Sequence, residues 1–78
     1  METIDLRGVV CPSNYVRVRL VLEPLAPGDE IDVLLDAGEP VRNVPSSLRG
    51  DGDRVLAVTA EDDHYRMRVQ KGEGANDW

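Results

Sequence analysis

The chain has no phenylalanine, one tryptophan and two tyrosines among its 78 residues. Its core must therefore be aliphatic, built from Val, Leu and Ile. Cysteine and histidine are each present once, as Cys11 and His64. A lone cysteine excludes an internal disulfide, the usual staple of small secreted domains. One Cys and one His at no ligand spacing make no zinc site, and no resident metal or other cofactor is expected. There is no glycine-rich phosphate loop, because Gly50-Asp51-Gly52 is acidic. No stretch approaches the ~20 apolar residues of a membrane-spanning helix. Basic residues are outnumbered nine to fifteen, for a net charge of −6. Such a surface repels polyanions, so nucleic acid and anionic membrane are disfavoured as partners and a basic patch on another protein is favoured. The first residues, Met1-Glu2-Thr3-Ile4-Asp5, lack the basic and apolar regions of a signal peptide, so a cytoplasmic location is the expectation.

Length and patterning predict one small domain over residues 1–71, with 72–78 as a glycine-bearing, mobile tail. Thr3–Leu6 reads as a short strand. Pro12 suits the first position of a helix, and Tyr15, Val18, Val21, Leu22 and Leu25 recur at helical spacing to about Leu25. Arg17 and Arg19 fall off that stripe as solvated residues. Glu30–Asp36 alternates as a strand. Pro40 opens a turn over 40–43, and Pro45 confines a second helix to about Pro45–Arg49. Arg54–Ala60 and His64–Gln70 are strands joined by the acidic turn Glu61-Asp62-Asp63. Alternation places Tyr65, Met67 and Val69 inward, and His64, Arg66, Arg68 and Gln70 toward solvent. The order β-α-β-α-β-β predicts a two-layer α/β sandwich, with two helices on one face of a four-stranded mixed sheet. The acidic surface makes a monomer the default, with the exposed sheet face as a place for association.

Cys11 is the residue that attracts chemistry. It precedes Pro12 at a helix start, where unpaired N–H groups and the positive end of the helix dipole stabilise a thiolate. The alternative is a buried structural cysteine, since free Cys is often buried; the residues alone leave both readings open. Arg7 either adds positive potential near the thiol or pairs with Asp5 or Asp36. Gly8 permits backbone angles that other residues resist. Val16 and Leu20, off the core stripe beside Arg17, form either an apolar docking patch or a packed helix edge. A Cys–His pair would require His64 to reach Cys11, and a surface histidine is the plainer reading.

Several pieces, in order, resemble the TusA/SirA/YedF-like sulfur-carrier family over residues 3–71. They are Asp5-Leu6-Arg7-Gly8, Cys11-Pro12, Leu25-Ala26-Pro27-Gly28-Asp29, Val33-Leu34-Leu35-Asp36, Asn43-Val44-Pro45, and Asp51-Gly52 before Val55-Leu56. The resemblance implies a two-layer α/β sandwich and a sulfurtransferase-type carrier whose Cys11 accepts sulfane sulfur as a persulfide and passes it on. It implies a donor protein, a cysteine desulfurase or a rhodanese-like enzyme, and an acceptor protein. Arg7, Gly8 and Pro12 belong to the signature around the cysteine. The family's Cys-Pro-x-Pro motif is Cys11-Pro12-Ser13-Asn14 here. Asn14 restores an N–H and adds an amide able to bond backbone or persulfide, and N–H groups near Ser13 and Asn14 are the expected cradle for a charged persulfide. Two other classes remain: an RNA-binding module using Arg66 and Arg68, and a regulatory interaction domain in which Cys11 is incidental or redox-sensing.

Overall fold

The computed structural model describes residues 2–10 and 12–72. Cys11 and positions 73–78, including Trp78, lie outside the described residues. The elements are β1 (Glu2–Asp5), α1 (Ser13–Leu22), β2 (Glu30–Asp36), α2 (Glu39–Gly50), β3 (Arg54–Glu61) and β4 (His64–Gln70). One mixed sheet runs in the order β1-β2-β4-β3. β1 and β2 are parallel, and β4 is antiparallel to both its neighbours. The β1–α1–β2 crossover is what parallel adjacent strands require.

Alternation in β2 and β4 sets which face is dry. Ile31, Val33 and Leu35 lie opposite Val69, Met67 and Tyr65 on one face. Val18 and Leu22 of α1 and Val44 and Leu48 of α2 close over that face, with Leu6 at its end, and all four helical side chains are fully buried. The core is aliphatic apart from Met67.

The structure corrects two helix boundaries. α1 ends at Leu22 instead of near Leu25; Leu25 N–H still bonds Leu22 O at 3.0 Å, a turn that closes the helix before Pro27. α2 is one continuous helix from Glu39 to Gly50, with Pro45 inside it. An interior proline costs about 3 kcal/mol. Burying Val44 and Leu48 returns roughly 1.5–3 kcal/mol each, and Pro45 is itself buried beside them. Packing on the sheet therefore outweighs the local preference.

Further corrections concern charged residues. Arg19 is not a solvated helix residue: it donates to the buried Asp53 carboxylate and lies near Asp51 and Glu23. Asp53 also accepts the Gly72 N–H at 2.9 Å. Gly72 has no room for a side chain, since a Cβ there would meet the Gly52 carbonyl oxygen at 1.8 Å.

Candidate functional site: the loop between β1 and α1

β1 and β2, being parallel, finish at the same end of the sheet, the end from which the loop after β1 departs. Leu6 N–H continues the ladder to Leu34 O at 3.0 Å, and Leu6 is buried. The chain then turns through Gly8, whose φ of 82° is one that β-carbon-bearing residues avoid. Gly8 N–H donates to Asp36 Oδ2 at 2.7 Å, which fastens the loop to the end of β2. Arg7 takes the structural role: Nε and Nη2 grip Asp5 Oδ1 and Oδ2 at 2.9 and 2.7 Å. That two-pronged bond, with a third from the Arg7 N–H, holds the Asp5 carboxyl well below the usual carboxylate range.

Val10 O accepts the Asn14 N–H at 3.2 Å. At the start of α1 the donors are nearly all engaged. Tyr15 N–H reaches Asn14 Oδ1 at 2.6 Å and Val16 N–H reaches Pro12 O at 3.0 Å. Ser13 N–H is left without an acceptor among the described residues. Of the two donors expected from the sequence, Asn14's is occupied and Ser13's has no acceptor among the described residues. No acidic side chain occupies the first turn of α1, so its positive end is not neutralised locally.

Asn14 bonds backbone, one of the two uses expected of its amide, but does so from inside the core. It is fully buried on the same side of α1 as Val18 and Leu22, and its Nδ2 has no hydrogen-bond partner among the described residues. It is therefore not a residue that a docking partner touches. Its polarity hid it from the apolar stripe, although its spacing of four from Val18 was the available signal.

The exposed side of the helix carries the other candidates. Val16 and Leu20 are 47% and 67% exposed, Val10 is 73% exposed, and Arg17 lies among them in solvent. Pro12, Ser13, Val16, Arg17 and Leu20 line one shallow depression of about 310 Å³. A second, of about 360 Å³, runs from Gly8 and Val10 to Asp36 and Pro40. The two depressions adjoin the chain on either side of position 11.

His64 faces Asp36 across β2 and β4, at this same end of the sheet. It is not an open surface residue: its side chain is 12% exposed and lies 3.1 Å from Asp63 and 3.3 Å from Glu61. The Asp63 carboxyl is pulled below its ordinary value by that bond to His64. No cluster of three or more metal-ligating side chains occurs among the described residues. On the outer sheet face, Arg66 and Arg68 are spent on carboxylates. Arg68 Nε bonds Asp32 at 2.9 Å, and Arg66 bonds Glu61 at 3.0 Å and Asp32 at 3.2 Å. The Arg68 hydrogen bond, joined by that of Arg66, lowers the Asp32 pKa against the opposing effect of burial. Both arginines are paired with carboxylates of their own chain, so contact with phosphate would compete with those pairs.

A family model described as sulfurtransferase TusA matches residues 2–71. The chain belongs to the TusA family. Among relatives, it is 39% identical over 57 residues to a protein of Archaeoglobus fulgidus named as a candidate sulfur carrier protein, covering 73% of this chain and 65% of that protein. The chain thus spans just under two thirds of that relative. A second candidate sulfur carrier protein of the same organism is 25% identical over 71 residues, covering 91% of this chain and 97% of the relative. The fold is that of the crystal structure of a SirA-like protein from Desulfitobacterium hafniense, with a TM-score of 0.78 and 27% identity over 94% of this chain and all of that one. The mixed four-stranded sheet with two helices is the family architecture expected from the element order. No helix among the described residues is long and apolar enough to cross a membrane.

Proposed function

We propose that this TusA-family chain is a sulfur carrier that holds sulfane sulfur as a persulfide on Cys11 and relays it from a donor protein to an acceptor protein. The observation that carries the reading is the family match across residues 2–71, with the Cys11-Pro12 motif in the β1–α1 loop. Loading is an exchange at sulfur. The Cys11 thiolate attacks the outer sulfur of a donor persulfide; a new S–S bond forms on Cys11, the donor S–S bond breaks, and the donor leaves as a thiolate. An acceptor thiolate then attacks the outer sulfur on Cys11, and the Cys11 thiolate is regenerated. No net oxidation occurs in either step.

The surroundings suit that cycle. The unneutralised start of α1 and the Ser13 N–H, which has no acceptor among the described residues, favour negative charge at the loop, whether thiolate or persulfide. Arg7 and Asp36 act on the loop's shape, Arg7 through Asp5 and Asp36 through Gly8. The exposed Val10, Val16 and Leu20 offer apolar surface beside the loop, and Arg17 offers one charge, so donor and acceptor would use this surface in turn. With Asn14 in the core, the departure from Cys-Pro-x-Pro changes how α1 begins and leaves the docking face unaltered.

Cyanolysis tests the reading. The protein is incubated with a cysteine desulfurase and cysteine, freed of both, and treated with cyanide, which takes sulfane sulfur as thiocyanate. About one equivalent of thiocyanate per chain is expected. Equal release from Cys11→Ser would overturn the assignment.

A further inference from the structure

The two edges of the sheet are unlike. β1 is four residues long and carries Glu2 and Asp5, a short and charged edge of the kind that discourages pairing. β3 is eight residues long, Arg54-Val55-Leu56-Ala57-Val58-Thr59-Ala60-Glu61, with charge only at its ends. It pairs with β4 on one side, and among the described residues nothing pairs with the other. Leu56 and Val58 stand 46% and 41% exposed along it.

A bulge makes this edge symmetrical. The register against β4 passes from Val55 directly to Ala57, so Leu56 is the extra residue. The ladder positions are then 54, 55, 57, 58, 59, 60 and 61, with Val58 at their centre. Arg54, Ala57, Thr59 and Glu61 share the outer face with Arg66 and Arg68, whereas Val55, Val58 and Ala60 share the helix-side face with Met67 and Val69. An antiparallel pairing of two such strands about a two-fold axis at Val58 sets Val58 against Val58, Ala57 against Thr59, Val55 against Ala60 and Arg54 against Glu61. Every pair matches in face, as antiparallel ladders require. Both ends match in charge. Arg54 is exposed and meets no carboxylate within its own chain among the described residues.

We propose that β3 is a self-association edge: two copies of this chain pair their β3 strands antiparallel about Val58, joining two four-stranded sheets into one continuous sheet. The interface is isologous, so it closes at two copies. It is a strand edge with few flanking side chains, which places it in the small and weak class of interfaces, below about 1,200 Å². The β1–α1 loop departs from the opposite half of the sheet, at β1, so pairing leaves it accessible.

Sedimentation equilibrium of the full chain, from about 10 µM to about 1 mM, reads the association directly. The mean mass is expected to rise from 8.6 kDa toward twice that value. Arg54→Glu and Glu61→Arg should each weaken the dimer about tenfold by opposing like charges. An equimolar mixture of the two variants should regain it, because each mixed pair restores opposite charges at both ends. Urea unfolding of each variant separates lost pairing from lost folding, since Glu61 also bonds Arg66. A chain that stays at its monomer mass throughout overturns the proposal. So does a dimer indifferent to both charge changes. A monomer whose β3 amides resist hydrogen exchange at every concentration overturns it too, and would assign the edge to the segment 73–78.

Discussion

Asp36 Oδ2 accepts the Gly8 N–H at 2.7 Å across 28 residues of sequence, and so ties the β1–α1 loop to the end of β2. The loop's geometry is thereby set by the sheet. Replacing Asp36 by Ala should cost about 1.5–3 kcal/mol in urea unfolding, the value of a hydrogen bond to a charged group. It should also slow sulfur loading at a given donor concentration. Asp36→Asn, which keeps an acceptor, should recover most of both.

Asn14 carries a buried amide in a helix face that is otherwise Val18 and Leu22. A stranded buried donor costs about 1–3 kcal/mol, against about 1 kcal/mol for the hydrogen bond that Asn14 Oδ1 makes to the Tyr15 N–H. Asn14→Leu, of similar size, should therefore raise stability by about 1 kcal/mol in chemical denaturation. Lower stability would contradict this.

Val16 and Leu20 lie on the outside of α1, so their replacement should be neutral to folding and costly to transfer. The double variant Val16→Ser/Leu20→Ser should keep its unfolding free energy within about 0.5 kcal/mol. Its KM for a protein donor should rise about tenfold, while loading from a small-molecule persulfide is unchanged. Steady-state kinetics with both donors separates the two effects.

Asp32 links charge to stability. Its pKa is lower in the folded protein than in the unfolded chain, through Arg68 and Arg66, so the unfolded state binds the extra proton. Its contribution is complete above the unfolded carboxyl value, near 4, and fades as pH falls through the depressed folded value. Urea midpoints at pH 7, 4 and 3 should show wild type losing more stability on acidification than Asp32→Asn. At pH 7 the variant should be about 1–2 kcal/mol less stable, because Asp32 is 6% exposed and bonds two arginines.

The strands were legible where one face is wet. In β2 and β4 the strict alternation placed Ile31, Val33, Met67 and Val69 in the core, and burial followed. Pro12 marked the start of α1 to within one residue: it is the N-cap, and Ser13 is the first helical residue. Three features resisted reading because tertiary contacts decide them. Pro45 signals a break, yet α2 continues through it to bury Val44 and Leu48. Asn14 signals surface, yet helical phase carries it inward. Arg19 lies off the core stripe, but its partner Asp53 is 34 residues away and visible only once β3 is in place. At the candidate site, the motif was evident from sequence and an Arg7–Asp5 pair was one of the two readings of Arg7; the choice between them, and the bond from Gly8 to Asp36, required the folded chain.

Intact-mass spectrometry after incubation with a cysteine desulfurase and cysteine, or with a thiosulfate sulfurtransferase and thiosulfate, tests the central claim most directly. The wild-type chain should gain the mass of one sulfur atom and lose it on reduction, and Cys11→Ser should gain none. A wild-type chain that takes up no sulfur from either donor, or a Cys11→Ser chain that takes it up equally, would contradict the account.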